Sequence, residues 1–496
     1  MFWKMNLSNT MKNLIYLWLT IVILFTIYRV IRRPQITRHG RPVRKSPNSL
    51  PIVGNGLLFL RPRQELLVWF TRCIQQYGYE TLSISIPTLP PGVIISDPAN
   101  LEHVFQHEGK FQKGDFFRAR LQDLFGYGIV NVDGNLWRQQ RKAGTKFFNT
   151  SMIRTLTHRD LPELLQRVIS SLDSVARNSM VVDLECAFHE VTTQLIGKLA
   201  YDTEMHVDDQ FTKAFDHASG EIAKRFQNPL WRLTELVTGT RLRASIQIMK
   251  KYGQKLVEQA EQCEDSNGEA TIEKTPSLIH ILLDHLGDRS LVADSALNYL
   301  SAGKDTIAQA LTWTFYLLSE HQDISTRIFH MVKTNNIAVI NHEHLSSDAS
   351  HFILAVFYET LRLYPPIPVE LKQAQDDTLL PDGTFIPQNF IVLWCTWAMN
   401  RSTLTWGDDA KSFRPDRWLH ERALTHRSAA EFPVFQGGAR LCLGKRMAEL
   451  IAIQVIATLT NAYVFTPAFN GVKTSRTHLT LPMEGGLQMR VEHRQR

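Results

Sequence analysis

No Asp or Glu occurs among the first 45 residues of this 496-residue chain, although nine Lys or Arg do. Taking that local excess from the formal net charge of +7 leaves the remainder near −2. The basicity therefore belongs to the amino-terminal segment, and nucleic-acid binding by the body is discounted. Cysteine is scarce: Cys73, Cys186, Cys263, Cys395 and Cys442 are odd in number, scattered, and include no CxxC pair. That excludes a disulfide framework and a zinc ribbon, and it suits a reducing compartment. Glycine (26) and proline (21) are too few for a collagen-like or low-complexity chain. There is no internal repeat and no dinucleotide-binding fingerprint. What is present is a hydrophobic fraction of 44% with 10% aromatics, enough for a packed globular interior.

Long apolar runs are also rare, and the clearest is LIYLWLTIVILFTIYRVI, residues 14–31. As a helix it would reach about 27 Å at 1.5 Å per residue, the thickness of an endoplasmic-reticulum bilayer if Arg29 snorkels to the headgroups. Arg32, Arg33 and Pro34 follow it in place of a small-residue cleavage site, which favours an uncleaved anchor over a signal peptide or a buried helix. Six basic residues from Arg32 to Lys45 follow the run, against Lys4 and Lys12 before it. The positive-inside rule then places the amino terminus in the lumen and the rest in the cytosol. The expected organisation is a lumenal tail and transmembrane helix at 1–31, a basic, proline-containing linker at 32–55, and a catalytic body at 56–496.

Within the body the periodicity predicts a helix over 63–76 and a hairpin from TLSISI (81–86) to GVIISD (92–97). From 98 to 363 the pattern is mainly helical, interrupted by an exposed loop at 263–276. Beyond Pro365 come short strands and turns, and then a helix over 442–461. The fold class expected is mainly α with a minor β region.

The segment FQGGARLCLGKRMAELIAI, residues 435–453, is the most informative. Gly437, Gly438 and Gly444 permit a tight loop that approaches a flat ligand, and Cys442 stands just before a helix. A helix amino terminus and a neighbouring Arg440 would both stabilise a thiolate. For an isolated cysteine the ordinary reading is an inert buried thiol. Here, however, Phe435-x-x-Gly438-x-Arg440-x-Cys442-x-Gly444 resembles the haem-binding loop of the cytochrome P450 family.

Three further elements stand in that family's order. Glu359 and Arg362 lie three apart on one helix face, ordinarily a surface pair, and Arg417 in FRPDRW could complete a buried, neutralised network. The resemblance implies a structural role for these three. In AGKDT, residues 302–306, an acid and a hydroxyl interrupt a long apolar helix over 292–318, which a core helix does not need. Splitting dioxygen does need protons, and a carboxylate beside a hydroxyl can relay them. The resemblance places Thr306 near bound O2 and makes Asp305 the proton source. Trp137 and Arg141 lie four apart on one helical face. They could donate to a haem propionate, although Trp137 alone would read as core packing. By the same resemblance Arg440 contributes there, with Lys372 a further candidate.

The resemblance implies a cytochrome P450 fold, with a long central helix over the haem and small antiparallel sheets. It implies haem b held by Cys442, O2 as co-substrate, and insertion of one oxygen atom into a C–H bond of a lipophilic substrate. With no flavin or dinucleotide domain in the chain, electrons would come from a membrane-bound, NADPH-dependent cytochrome P450 reductase. Arg141, Lys142, Lys445 and Arg446 could form its docking face, or simply be solvated surface. GIVNVDGNLWRQQRK, AGKDTIAQALTW, ELKQAQDDTLLPDGTF and WAMNRSTLTWG look most like the fatty-acid hydroxylase clan of plant and fungal members. That implies hydroxylation at or near the terminal carbon of a long-chain fatty acid. A terpenoid, sterol or specialised metabolite is the alternative, because the expected pocket stretches, 111–127 and 211–231, do not declare a substrate. A haem-thiolate isomerase or dehydratase could dispense with Asp305 and Thr306, and a haem sensor would need no distal cavity.

Overall fold

The structure, a computed structural model, describes residues 17, 18, 20, 35–86, 89–266, 276–334 and 347–495. Most of the apolar run at 14–31, and positions 267–275 of the loop expected over 263–276, lie outside the described residues, while positions 263–266 belong to a helix, Thr240–Ser266, and not to a loop. Among the described residues no helix is long and apolar enough to cross a membrane.

Among the described residues fourteen short strands form the β part: β1 (Thr37–Arg38), β2 (Arg41–Pro42), β3 (Leu82–Ile84), β4 (Gly92–Ile94), β5 (Phe111–Gln112), β6 (Val181–Asp183), β7 (Glu370–Ala374), β8 (Thr378–Leu379), β9 (Thr384–Ile386), β10 (Ile391–Trp394), β11 (Leu419–His420), β12 (Ala423–Leu424), β13 (Tyr463–Pro467) and β14 (Gln488–His493). The expected hairpin is there, with Leu82 opposite Ile94 and Ile84 opposite Gly92. Its second strand runs parallel to β10, giving a five-stranded sheet ordered β3-β4-β10-β7-β5. The stretch expected as a linker departs from that expectation. β1 pairs with β2 and also with β9, Thr37 opposite Phe385 and Arg38 opposite Thr384, so residues 37–42 join a four-stranded sheet of the body. Pro47 and Pro51 follow this pairing, and neither prevents it.

The helices that frame the site are α1 (Gly56–Phe59), α2 (Arg63–Tyr77), α3 (Pro98–Gln106), α4 (Gly134–Phe147), α5 (Leu184–Tyr201), α6 (Trp231–Thr238), α7 (Arg289–Glu320), α8 (Asp348–Leu363) and α9 (Lys445–Ala462). At 32 residues α7 is about 48 Å long and runs through the core. Asp288 starts it by accepting the Leu291 amide at 2.8 Å. From Ile307 to Ser319 every side chain is buried, because α5, α8 and the 477–481 loop cover successive faces. Trp313 illustrates the closure: its ring stacks on Tyr364 at 4.0 Å and its indole N–H reaches the Leu481 carbonyl at 2.9 Å. Asp183 caps α5 through the Glu185 amide and also accepts the Leu487 amide, fastening β6 and β14 to the start of that helix. α8 ends at Leu363, where Pro365 and Pro366 prevent continuation. The helix expected over 442–461 starts three residues later, at Lys445, so Cys442 sits wholly in the preceding loop.

Candidate active site

Cys442 is fixed by its own backbone, whose amide donates to the Phe435 carbonyl at 2.8 Å and closes the loop from Phe435 to Gly444. Gly438 makes that loop possible. It adopts φ +59°, and a β-carbon there would come 2.1 Å from the Phe105 carbonyl oxygen at the end of α3. Burial pushes the Cys442 thiol up, while the amides of Gly444 and Lys445 and the Arg141 guanidinium act against that rise. The cations bearing on the sulfur are thus Arg141, whose guanidinium donates to the Leu441 carbonyl at 2.5 Å, and Lys445.

Arg440 departs from the expectation that placed it beside the thiolate. Its guanidinium turns away to Asp133 at 2.7 Å, Glu108 at 3.0 Å and the Val132 carbonyl at 3.0 Å. It also lies over the Trp137 ring at 4.1 Å. Neither acid was singled out in the sequence; the one local sign was an Asp immediately ahead of α4. Lys372 is 3% exposed and borders Lys113, Arg440, Glu370 and Asp133. Burial depresses its ammonium to about 7. Lys113 is paired with Glu370 at 3.3 Å. Among the described residues neither Lys372 nor Arg141 has a carboxylate partner, so two cations on the cavity wall are left for an anionic ligand.

Glu359, Arg362 and Arg417 are brought together. Arg362 grips Glu359 with two bonds of 2.8 Å, and Arg417 donates to Glu359 Oε1 at 2.9 Å. The Trp418 indole (3.0 Å) and the Arg414 amide (2.8 Å) complete the carboxylate, and Arg362 also reaches the carbonyls of Asn400, Ala410 and Ser412. Both members of the Glu359–Arg362 pair are fully buried. Burying such ions is tolerable only with full hydrogen bonding, which this cluster has.

On α7, Thr306 borders the cavity and donates to the Ala302 carbonyl at 2.7 Å. Gly303 faces α5, where an added β-carbon would stand 3.0 Å from Ile196. Asp305 is buried on the α5 side, with Lys304 Nζ at 2.5 Å and His189 Nδ1 at 3.7 Å. Burial alone would raise its carboxyl, but Lys304 and His189 hold it below the usual carboxylate value. Burial in turn pushes His189 down to about 4. Lys304 and His189 were not recognised in the sequence; their link to Asp305 depends on how α5 packs.

Cys442, Arg440, Arg141, Trp137, Lys372, Asp305 and Thr306 border one cavity of about 570 Å³, whereas Glu359, Arg362 and Arg417 lie outside its lining. Both stretches expected to wall it do so, through Phe116, Phe117, Leu121 and Phe125 and through Phe215, Ala223 and Phe226. The 477–480 loop and the start of α2 also contribute, which periodicity did not indicate. On the opposite side of the cysteine loop a second depression reaches Cys442 between Tyr358, Lys445 and Arg446.

Comparison with known proteins agrees with this arrangement. The cytochrome P450 family profile matches residues 45–486. The chain is 28% identical to cytochrome P450 94A1 of Vicia sativa over 470 residues, 90% of each chain. It is 30% identical to cytochrome P450 94A2 of the same plant over 501 residues, covering 95% of this chain and 96% of the relative. A fungal relative, cytochrome P450 monooxygenase cyp1 of Mycosarcoma maydis, is 30% identical over 444 residues, 84% of this chain and 69% of its own. The chain accordingly belongs to the cytochrome P450 family, monooxygenases that hold haem b by an axial cysteine thiolate and use O2, reductase-supplied electrons and a lipophilic substrate.

Proposed function

We propose that this enzyme hydroxylates a long-chain fatty acid at or near its terminal carbon, with Cys442 as the axial ligand. The observation carrying the reading is that Cys442, Thr306 and a mainly apolar, phenylalanine-rich wall share one cavity. The residues present fit haem b: a cysteine on the cavity floor, a glycine cradle against Phe105, and two cations without acids, matching two propionates. Arg141, Lys372 and the Trp137 indole would receive those carboxylates. Arg440 contributes from beside Lys372 and Arg141, clamped by Asp133 and Glu108, and Phe435 and Gly438 shape the loop. When bound, haem supplies a thiolate-ligated iron at which O2 takes two electrons and two protons, one oxygen entering a C–H bond and the other leaving as water.

The chain's own part is position and protons. Thr306 holds a hydroxyl proton at Oγ1 on the cavity side of α7, and Asp305 is the adjacent acid that replenishes it. Lys304 and His189 keep Asp305 ionised and ready to accept a proton from the α5 side. Glu359, Arg362 and Arg417 brace the region below the cysteine loop. The depression beside Lys445 and Arg446 is where an NADPH-cytochrome P450 reductase would dock.

The finer organisation is part of the same reading: a transmembrane helix within 1–31, residues 32–55 connecting it, and a cytosolic body on the endoplasmic reticulum. Supporting it, Leu57 and Leu60 on one side, and Leu230, Leu233, Leu236 and Val237 on the other, are exposed large apolar residues. Gln227 bonds to the Arg61 carbonyl at 3.2 Å, holding the two groups at one rim. Such a rim would bury in a bilayer interface. The test is a spin-state titration of the haem-loaded enzyme with fatty acids of graded length beside terpenoids and sterols. A shift with the latter alone would overturn the fatty-acid reading.

A further inference from the structure

One cation on the cavity wall is used neither by the haem reading nor by the reductase face. Arg63 is the first residue of α2, and its side chain borders the cavity together with Phe59, Phe226 and Gln227. Its Nη1 donates to the carbonyls of His478 and Thr480, each at 2.5 Å. Those two bonds hold the guanidinium by one nitrogen only. Among the described residues no carboxylate pairs with it, and its near neighbour Glu65 is turned outward to Arg61 at 3.3 Å. The side chain keeps part of its surface reachable because it faces the cavity.

The placement is unfavourable unless an anion arrives. Burial depresses the Arg63 guanidinium to about 10. The amino terminus of a helix also carries partial positive charge, so a cation there is repelled by its own helix. A carboxylate would relieve both. It would meet the free edge of a guanidinium already immobilised by the 478–480 carbonyls, the planar donor geometry that carboxylates match. Lys372 and Arg141 cannot substitute, because Lys372 has Lys113, Arg440, Glu370 and Asp133 as its charged neighbours and Arg141 borders Tyr299, Cys442 and Arg440. That cluster belongs to the Cys442 side of the cavity.

We infer that Arg63 is the anchor for the substrate's carboxylate, holding an amphipathic acid by its head at the rim while its tail extends along the phenylalanine wall toward Cys442 and Thr306. This deepens the fatty-acid reading and rests on it. Arg63 stands two residues beyond the Arg61 carbonyl that Gln227 grasps, beneath the exposed leucines of α1 and α6. An acid leaving a lipid surface would therefore pass its head group last, and the tail would enter first. Holding the carboxylate at a fixed point also makes chain length, counted from that carboxylate, decide which carbon meets the oxidant.

The experiment is a spin-state titration of the full-length, haem-loaded protein and its Arg63→Gln and Arg63→Lys variants. Each is titrated with a saturated fatty acid, the alcohol of the same length and the methyl ester. Loss of a charge-assisted pair predicts a Kd for the acid about 10- to 100-fold weaker in Arg63→Gln. Affinity for the alcohol should shift by less than about threefold, and Arg63→Lys should recover part of the loss. Products from the acid should spread inward along the chain in Arg63→Gln. If the wild type responds to no fatty acid, the substrate reading falls and the anchor falls with it. If the wild type responds and Arg63→Gln binds acid equally well, the anchor alone is overturned. Equal weakening for acid and alcohol would assign Arg63 to holding the 478–480 loop and would also overturn it.

Discussion

The carbonyl oxygen of Phe105 stands 2.1 Å from the point where a side chain at Gly438 would begin, so α3 and the cysteine loop are pressed together at a position only glycine fits. Gly438→Ala should therefore displace the loop, since its φ of +59° is unfavourable for alanine as well. The expected result is folded protein with little or no haem. It is read from the ratio of haem to protein absorbance after purification, and a full haem complement would contradict the cradle.

Cys442→Ser replaces the sulfur by a far weaker ligand while preserving the loop's backbone bond to Phe435. The ferrous carbonyl complex should lose the red-shifted Soret band that reports thiolate ligation. A variant that retained the band would place the ligand elsewhere.

Glu359→Gln should act through stability. It removes the charge that Arg362 and Arg417 share, leaving the fully buried Arg362 without a counter-ion and Arg417 with Asp409 alone, and the expected loss is about 3–5 kcal/mol. Denaturant unfolding of the purified variant, or its failure to accumulate folded beside the wild type, measures this. An unchanged midpoint would show the cluster to be dispensable.

Thr306→Ala removes the cavity-side hydroxyl while leaving the Ala302 carbonyl it now occupies. The prediction is uncoupling: NADPH and O2 consumption continue, hydrogen peroxide rises and hydroxylated product falls by about tenfold or more, within the range for lost proton transfer. The stoichiometry of product to NADPH is the measurement, and an unaltered ratio would move the relay elsewhere.

Glu185, on α5, is buried and accepts the Met483 amide at 2.9 Å; burial pushes its carboxyl up to about 7. Because the folded-state value lies above the ordinary one near 4.5, its contribution to stability is fully present below that value and is lost as pH rises through 7. The total amounts to no more than about 3 kcal/mol. Glu185→Gln keeps an acceptor for Met483 and removes the charge. It should raise the unfolding midpoint near pH 8, change it little near pH 5, and flatten the profile between. Parallel profiles for the two proteins would exclude this carboxyl as the cause.

What could be read in the sequence was local. Glycines flanking Cys442, the three-residue spacing of Glu359 and Arg362, the four-residue spacing of Trp137 and Arg141, and the polar interruption of α7 all depend on neighbours along the chain. What escaped reading was set by packing between distant segments. Arg440 turns toward Asp133 and Glu108, more than 300 residues earlier, and holds their carboxylates at 2.7 and 3.0 Å. Asp305 meets His189 only because α5 crosses α7. Arg63 carries no local signal at all: at the start of an amphipathic helix it reads as an ordinary solvated charge, and only the 477–480 loop turns it into a cavity residue.

The pairing of Thr37 and Arg38 with Phe385 and Thr384 also decides where this polypeptide tolerates a change in length. Residues inserted between 43 and 55 would have to be absorbed between two anchored points, the sheet on one side and the Asn55 amide bound to the Ser85 carbonyl on the other. Residues inserted ahead of 35 would leave every one of those bonds in place. The catalytic body therefore accommodates added length ahead of residue 35 more readily than between 43 and 55.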